Sequence, residues 1–222
     1  MSKIICSCLL ALLTVSNTAY GNDEAQLWVE AGVRVKAHKN LSLIWTENIR
    51  LKNNLTSFDS IKSDIETEWK AHKHLRLGLG YRLSFEANKN NVLEGSHRVH
   101  VQAVARDKIG RLRLSYRLRF QEGIKREDQE TRFRHVMRQR IKVGFDTDTD
   151  VEPDLAVEVF NRFADEQTVQ LQKLRTTAGV SFRPHKTHKM RVYYRLEVPL
   201  FDTTDPRHHI IGLGYQYRFK VN

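Results

Sequence analysis

Between Gly110 and Gly123 the chain reads GRLRLSYRLRFQEG. Arg111, Arg113, Arg117 and Arg119 alternate there with Leu112, Leu114, Tyr116, Leu118 and Phe120. A guanidinium is a permanent cation with five donors in a fixed fork, so arginines gathered on one face can pair carboxylates or grip oxyanions. Successive strand residues point to opposite faces. One side of this segment is therefore cationic, and the other presents large apolar groups that must meet a core or lipid.

The same beat continues elsewhere. The basic set that the alternation places inward includes Arg113, Arg117, Arg119, Arg134, Arg138, Arg140 and Arg195, with Glu66, Glu68, Glu158 and Glu197 as acidic partners. If Arg113, Arg117 and Arg119 on one strand face Arg134, Arg138 and Arg140 on the next, like charges crowd across a gap of about 5 Å. The acids relieve this only where curvature of the wall brings them near. Complete pairing gives a closed, structural lumen. A basic surplus gives a narrow passage or binding site for small anionic solutes, and a surplus is expected because the chain is basic throughout.

Other chemistry finds weaker support. A lipid-modifying hydrolase could draw on His97, His100, His135, Ser84, Ser96 and Glu86, but no spacing marks a nucleophile with its base, so no catalytic residue is expected. His72 with His74, His185 with His188, and His208 with His209 lie in or beside polar links, where a solvated turn explains them better than a metal. No glycine-rich phosphate loop or Cys/His zinc pattern is present, so neither cofactor nor metal is expected. A secreted basic sheet that binds nucleic acid needs ring and charge on one face, whereas each aromatic–arginine step puts them on opposite faces. No nucleic-acid partner is expected.

Period-two alternation recurs over residues 27–37, 41–52, 61–71, 75–86, 97–106, 111–121, 131–145, 154–163, 171–183, 189–198 and 208–220. Most of these segments are longer than the strands of soluble domains and match a tilted membrane-crossing strand of about 9 to 11 residues. Short links at 38–40, 72–74, 107–110 and 184–188 alternate with longer polar ones at 53–60, 87–96, 122–130, 164–170 and 199–207, with an intermediate one at 146–153, as in outer-membrane barrels. The expected fold is all-β, a single antiparallel transmembrane barrel. Single-chain barrels of bacteria carry even strand numbers, so eleven segments imply ten or twelve strands, with one split, hidden or outside the wall.

The chain opens with Lys3, an apolar run from Ile4 to Val15, and Ala19-Tyr20-Gly21, the pattern of a secretory signal peptide over residues 1–21. Residues 22–222 then form the barrel domain. Both cysteines, Cys6 and Cys8, lie in the leader, so no disulfide is available to the barrel. Net charge is +11, and +10 without Lys3. Because the basic residues are strewn through strands, they line a face of a sheet instead of forming a patch. Mean hydropathy is −0.54, and no apolar run after the leader reaches eighteen residues, which excludes crossing by helices but not by strands.

Five segments carry an aromatic followed by arginine: Tyr81-Arg82, Tyr116-Arg117, Phe182-Arg183, Tyr194-Arg195 and Tyr217-Arg218. Outward rings at Tyr81, Tyr116, Phe182, Tyr194 and Tyr217 suit an interfacial girdle. The stretches LGLGYRLSF, LRLSYRLRF, LAVEVF, KLRTTAGVSFR and IIGLGYQYRF resemble the DUF2490 family of bacterial outer-membrane barrels. That resemblance implies a porin-like barrel in the outer membrane of a Gram-negative cell, with membrane lipids and the barrel-assembly machinery as partners. It supplies no catalytic residues and no oligomeric state.

Overall fold

The computed structural model describes residues 23–88, 90–127, 130–163, 168–201 and 205–221. The expected signal peptide over 1–21 lies outside them. Eleven strands fill the described chain: β1 Asp23–Lys36, β2 Leu41–Lys52, β3 Ser57–Lys70, β4 Leu75–Ala87, β5 Leu93–Ile109, β6 Leu112–Glu127, β7 Glu130–Phe145, β8 Val151–Phe163, β9 Val169–His185, β10 His188–Pro199 and β11 Arg207–Lys220. No described residue is helical.

Each strand pairs antiparallel with the next, and β1 closes on β11. The expected count of ten or twelve is therefore corrected to eleven among the described residues. In an up-and-down meander an odd number leaves the first and last strands pointing the same way, so closure requires one parallel pair. That seam runs in continuous register from Asp23 opposite Arg207 to Lys36 opposite Lys220. No segment is split or left outside the wall.

The strands are steeply tilted. A row of paired residues starts at Val33, near the end of β1, and passes through Trp45, Ile65, Tyr81, Val99, Glu122 and His135. It arrives at Phe163, the last residue of β8. A row that crosses from one rim to the other in eight strands is the stagger a closed barrel needs. We call the rim with the β1–β2 turn lower and the rim with the β2–β3 turn upper.

The expected contrast between short and long connections is largely lost. Strands continue through residues that read as loops, leaving only 53–56, 88–92 and 128–129 as the first three upper links. Near a rim the outward residues no longer need to be apolar, so the alternation fades while the hydrogen-bond ladder goes on. At the lower rim β5 and β6 are joined by Gly110-Arg111 alone, with Gly110 at φ 59° in the left-handed region open to glycine.

The residue distribution is inside-out. Six buried apolar side chains, Trp28, Val104, Val136, Phe160, Tyr193 and Ile210, stand against fourteen buried polar ones among the described residues. Meanwhile Leu155 is 65% exposed, Ile141 61% and Leu79 57% on the outer wall. Such a continuous apolar surface marks contact with something other than water. Aromatic rings gather toward both ends of that wall. Trp69, Phe145, Phe182, Tyr217 and Phe219 stand near the lower rim, and Phe58, Phe85, Phe133 and Phe163 near the upper.

Candidate functional site

The lumen is built from the inward beat of all eleven strands. Its organising row crosses β6 to β10: Arg117 faces Arg140, Arg140 faces Glu158, Glu158 faces Arg175, and Arg175 faces Glu197. Arg119 also faces Arg138 across the same gap, so the like-charge crowding expected from the alternation is real. It is relieved by Glu158, which accepts from Arg117 at 2.5 Å, Arg138 at 2.9 Å and Arg175 at 3.4 Å. Glu197 accepts from Lys173 and is ion-paired with Arg175, each at 2.5 Å.

Curvature supplies the rest. Glu66 of β3 accepts from Arg119 of β6 at 3.1 Å, with His100 at 3.2 Å and Gln102 at 2.7 Å between them. The contact passes over β4 because Gly78 and Gly80 leave that strand bare. The His100 ring lies so close to Gly80 that a Cβ there would sit 2.2 Å from it. Glu68 takes Arg34 at 2.9 Å and Arg76 at 2.6 Å. Further carboxylates complete the network. Glu152 pairs Arg113 and Arg183, Asp154 pairs Lys142 and Arg191, Asp64 pairs Arg82, and Glu86 pairs Lys62. Outside the wall, in the β7–β8 turn, Asp146 has its carboxyl held below the usual range by the Lys108 ammonium, which donates to it at 2.5 Å.

Pairing does not fill the interior. An upper chamber of about 660 Å³ and a lower one of about 990 Å³ share Glu30, Thr46, Arg140 and Arg191 in their walls. Among the described residues, thirteen lysines and arginines against six carboxylates line the upper chamber, and twelve against four line the lower. The upper chamber also holds Trp28, Phe160 and Tyr193, each overlain by arginines.

Of the seven arginines singled out from sequence, Arg113, Arg117, Arg119 and Arg138 are ion-paired. Arg134, Arg140 and Arg195 line the upper chamber without a carboxylate within 4 Å among the described residues. Of the five rings, Tyr116, Phe182 and Tyr217 face outward toward the lower rim. Tyr81 and Tyr194 sit mid-strand and bond outward histidines, Tyr81 to His97 and Tyr194 to His209, each at 2.6 Å. The inward aromatics escaped the sequence reading because strand formers of either face look alike. Trp28 stood on the charged beat, and that was its one signal.

The hydrolase candidates separate. His97 and His135 face outward, and His135 pairs Glu122 at 3.3 Å. Ser84 and Ser96 face each other on the inward beat, and His100 there is engaged by Glu66. No group of three metal-ligating side chains is found among the described residues.

The family model described as protein of unknown function (DUF2490) matches residues 25–203. No curated protein matches. Among solved structures, the β-domain of the Bordetella autotransporter BrkA is similar at 9% identity and a TM-score of 0.46, over 81% of this chain and 82% of that one.

Proposed function

The chain belongs to the DUF2490 family of proteins of unknown function, and we propose from its own geometry that it is an outer-membrane barrel whose basic lumen binds and passes small anionic solutes. One observation carries the reading. Among the described residues, thirteen cations line the upper chamber against six carboxylates, and five of those cations, Arg50, Arg98, Arg134, Arg140 and Arg195, have no carboxylate within 4 Å. Cations left over in a low-dielectric wall concentrate anions and repel cations. The membrane location is supported by the exposed leucines and isoleucines of the outer wall and by the aromatic rings toward both of its ends. That wall presents lipid with an apolar band flanked by aromatic rings, the arrangement of outer-membrane barrels. Closure also counts against the nucleic-acid alternative, because the guanidiniums of the strands line an interior instead of an open sheet.

The test is planar-bilayer recording with the purified barrel under a salt gradient. Anion selectivity is expected, and Arg98→Glu with Arg134→Glu, two upper-chamber cations, should move the reversal potential toward zero. Cation selectivity in the unmodified protein, or no conductance at any voltage, would overturn the passage. Location is checked separately: the protein should fractionate with the outer membrane, resist carbonate extraction and migrate differently on gels when heated.

A further inference from the structure

Most lumen cations already hold a carboxylate, so the ones that do not are informative. Arg50 stacks on Trp28 with its guanidinium carbon 3.5 Å from the ring centroid. Arg195 lies 4.9 Å from the same ring and 4.5 Å from that of Tyr193. Neither has a carboxylate oxygen within 4 Å among the described residues. Each spends one nitrogen on a neutral acceptor. Arg50 Nε donates to Asn48 Oδ1 at 2.5 Å, and Arg195 Nε to Thr177 Oγ1 at 3.2 Å. Both side chains therefore keep the outer edge of the fork unused.

Asn48 adds an independent sign. Its side chain is 4% exposed, and its Nδ2 is buried without any acceptor. A buried donor left unpaired costs about 1 to 3 kcal/mol, and here it lies beside a guanidinium in the same condition. Glu30, opposite Asn48 in the ladder, accepts the Tyr193 hydroxyl at 3.3 Å. Arg175, 5.7 Å from Trp28, is committed to Glu158 and Glu197. What the cluster lacks is an acceptor.

We propose that Arg50, Arg195 and Asn48 form an oxyanion site on the lumen side of Trp28, for a carboxylate or phosphate group carried by the solute. The proposal rests on the anionic-lumen reading and deepens it by naming the group recognised. Stacking fixes the plane of a guanidinium without neutralising it, so its parallel N–H groups are presented ready for two oxygens of one anion. Chloride, a single sphere, cannot meet the two parallel N–H groups with two separate acceptor atoms. Trp28 is itself held by its Nε1, which donates to Gln26 Oε1 at 3.0 Å, so the platform is rigid.

The site has a built-in reporter. Trp45 and Trp69 face outward, so a Trp45→Phe, Trp69→Phe barrel emits from Trp28 alone. Sodium phosphate and sodium acetate are titrated separately at constant ionic strength against sodium chloride. A saturable change in Trp28 emission is expected with at least one of them, and the tighter arm identifies the group. Arg50→Gln, and independently Arg195→Lys, which keeps charge but loses the fork, should weaken binding by about tenfold or more. Lys39→Gln, in the exposed β1–β2 turn, should leave it unchanged. Heat-modifiable migration certifies that each variant is folded. No saturable change with either salt, or equal binding in both arginine variants, would overturn the site. If selectivity for anions persists in that case, the site alone fails; if selectivity is absent as well, the lumen reading fails with it.

Discussion

Glu158 is the residue on which the interior turns. It is 3% exposed and sits among Arg117, Arg138 and Arg175, with Arg140 beside it in the ladder. Its single charge separates four guanidiniums that the hydrogen-bond register forces together. Removing one partner of a buried ion pair is far worse than removing both, because the remaining charge stays desolvated and unpaired. Glu158→Gln keeps the shape and deletes the charge. It should destabilise the folded barrel by about 3 to 5 kcal/mol, read as a shifted midpoint in urea unfolding from detergent or vesicles. An unshifted midpoint would mean that water or counter-ions screen the cluster, and the lumen would then be wetter than its burial implies.

At the scale of the element, the strand that closes the barrel depends on a glycine. Gly212 of β11 stands between Tyr193 of β10 and Trp28 of β1 in the ladder. The Tyr193 ring lies flat across it, so near that a Cβ would fall 1.9 Å from Cζ. The bare strand lets the ring lie against the wall instead of crossing the chamber. Gly212→Ala should drive the ring into the lumen, costing about 1 to 3 kcal/mol and lowering conductance. Adding Tyr193→Ala should recover part of that loss, since contacting sites are not additive. Strict additivity in the double mutant would show that the ring and the glycine do not depend on each other.

For the whole molecule, the distinctive feature is the parallel seam. Parallel bonds are slanted and slightly weaker than antiparallel ones, yet this seam is registered along all of β1. Val33 and Tyr217 face each other there on the outer wall. In a Cys6→Ser, Cys8→Ser background no other thiol competes, because the chain has no further cysteine. Val33→Cys with Tyr217→Cys should then join through a short bifunctional thiol reagent and shift the gel mobility of the unfolded chain. A strand inserted between β1 and β11 would hold the two thiols about 10 Å apart, at twice the strand spacing, and a short reagent would not bridge them.

The chain's own alternation determined a great deal. Leu79 outward and Arg82 inward follow from period two alone, and the length of each run favoured a membrane-crossing wall over the short strands of a soluble sheet. All eleven segments were legible for the same reason: the ladder forces opposite faces on neighbouring residues, and most positions on each face keep to one kind of side chain. The odd count was not legible as such, since nothing local to β1 or β11 records that they will run parallel and so close an eleven-stranded wall. Nor were the loop lengths, because hydrogen bonding outlasts the apolar pattern near the rims. Above all, which arginines are spoken for was a tertiary matter. Arg119 and Glu66 are separated by 53 residues and meet only because the sheet curves over the bare backbone of Gly78 and Gly80. Arg50 and Arg195 are left without an ion-paired carboxylate by that same curvature, which lays both on Trp28 and brings no acid within 4 Å of either among the described residues.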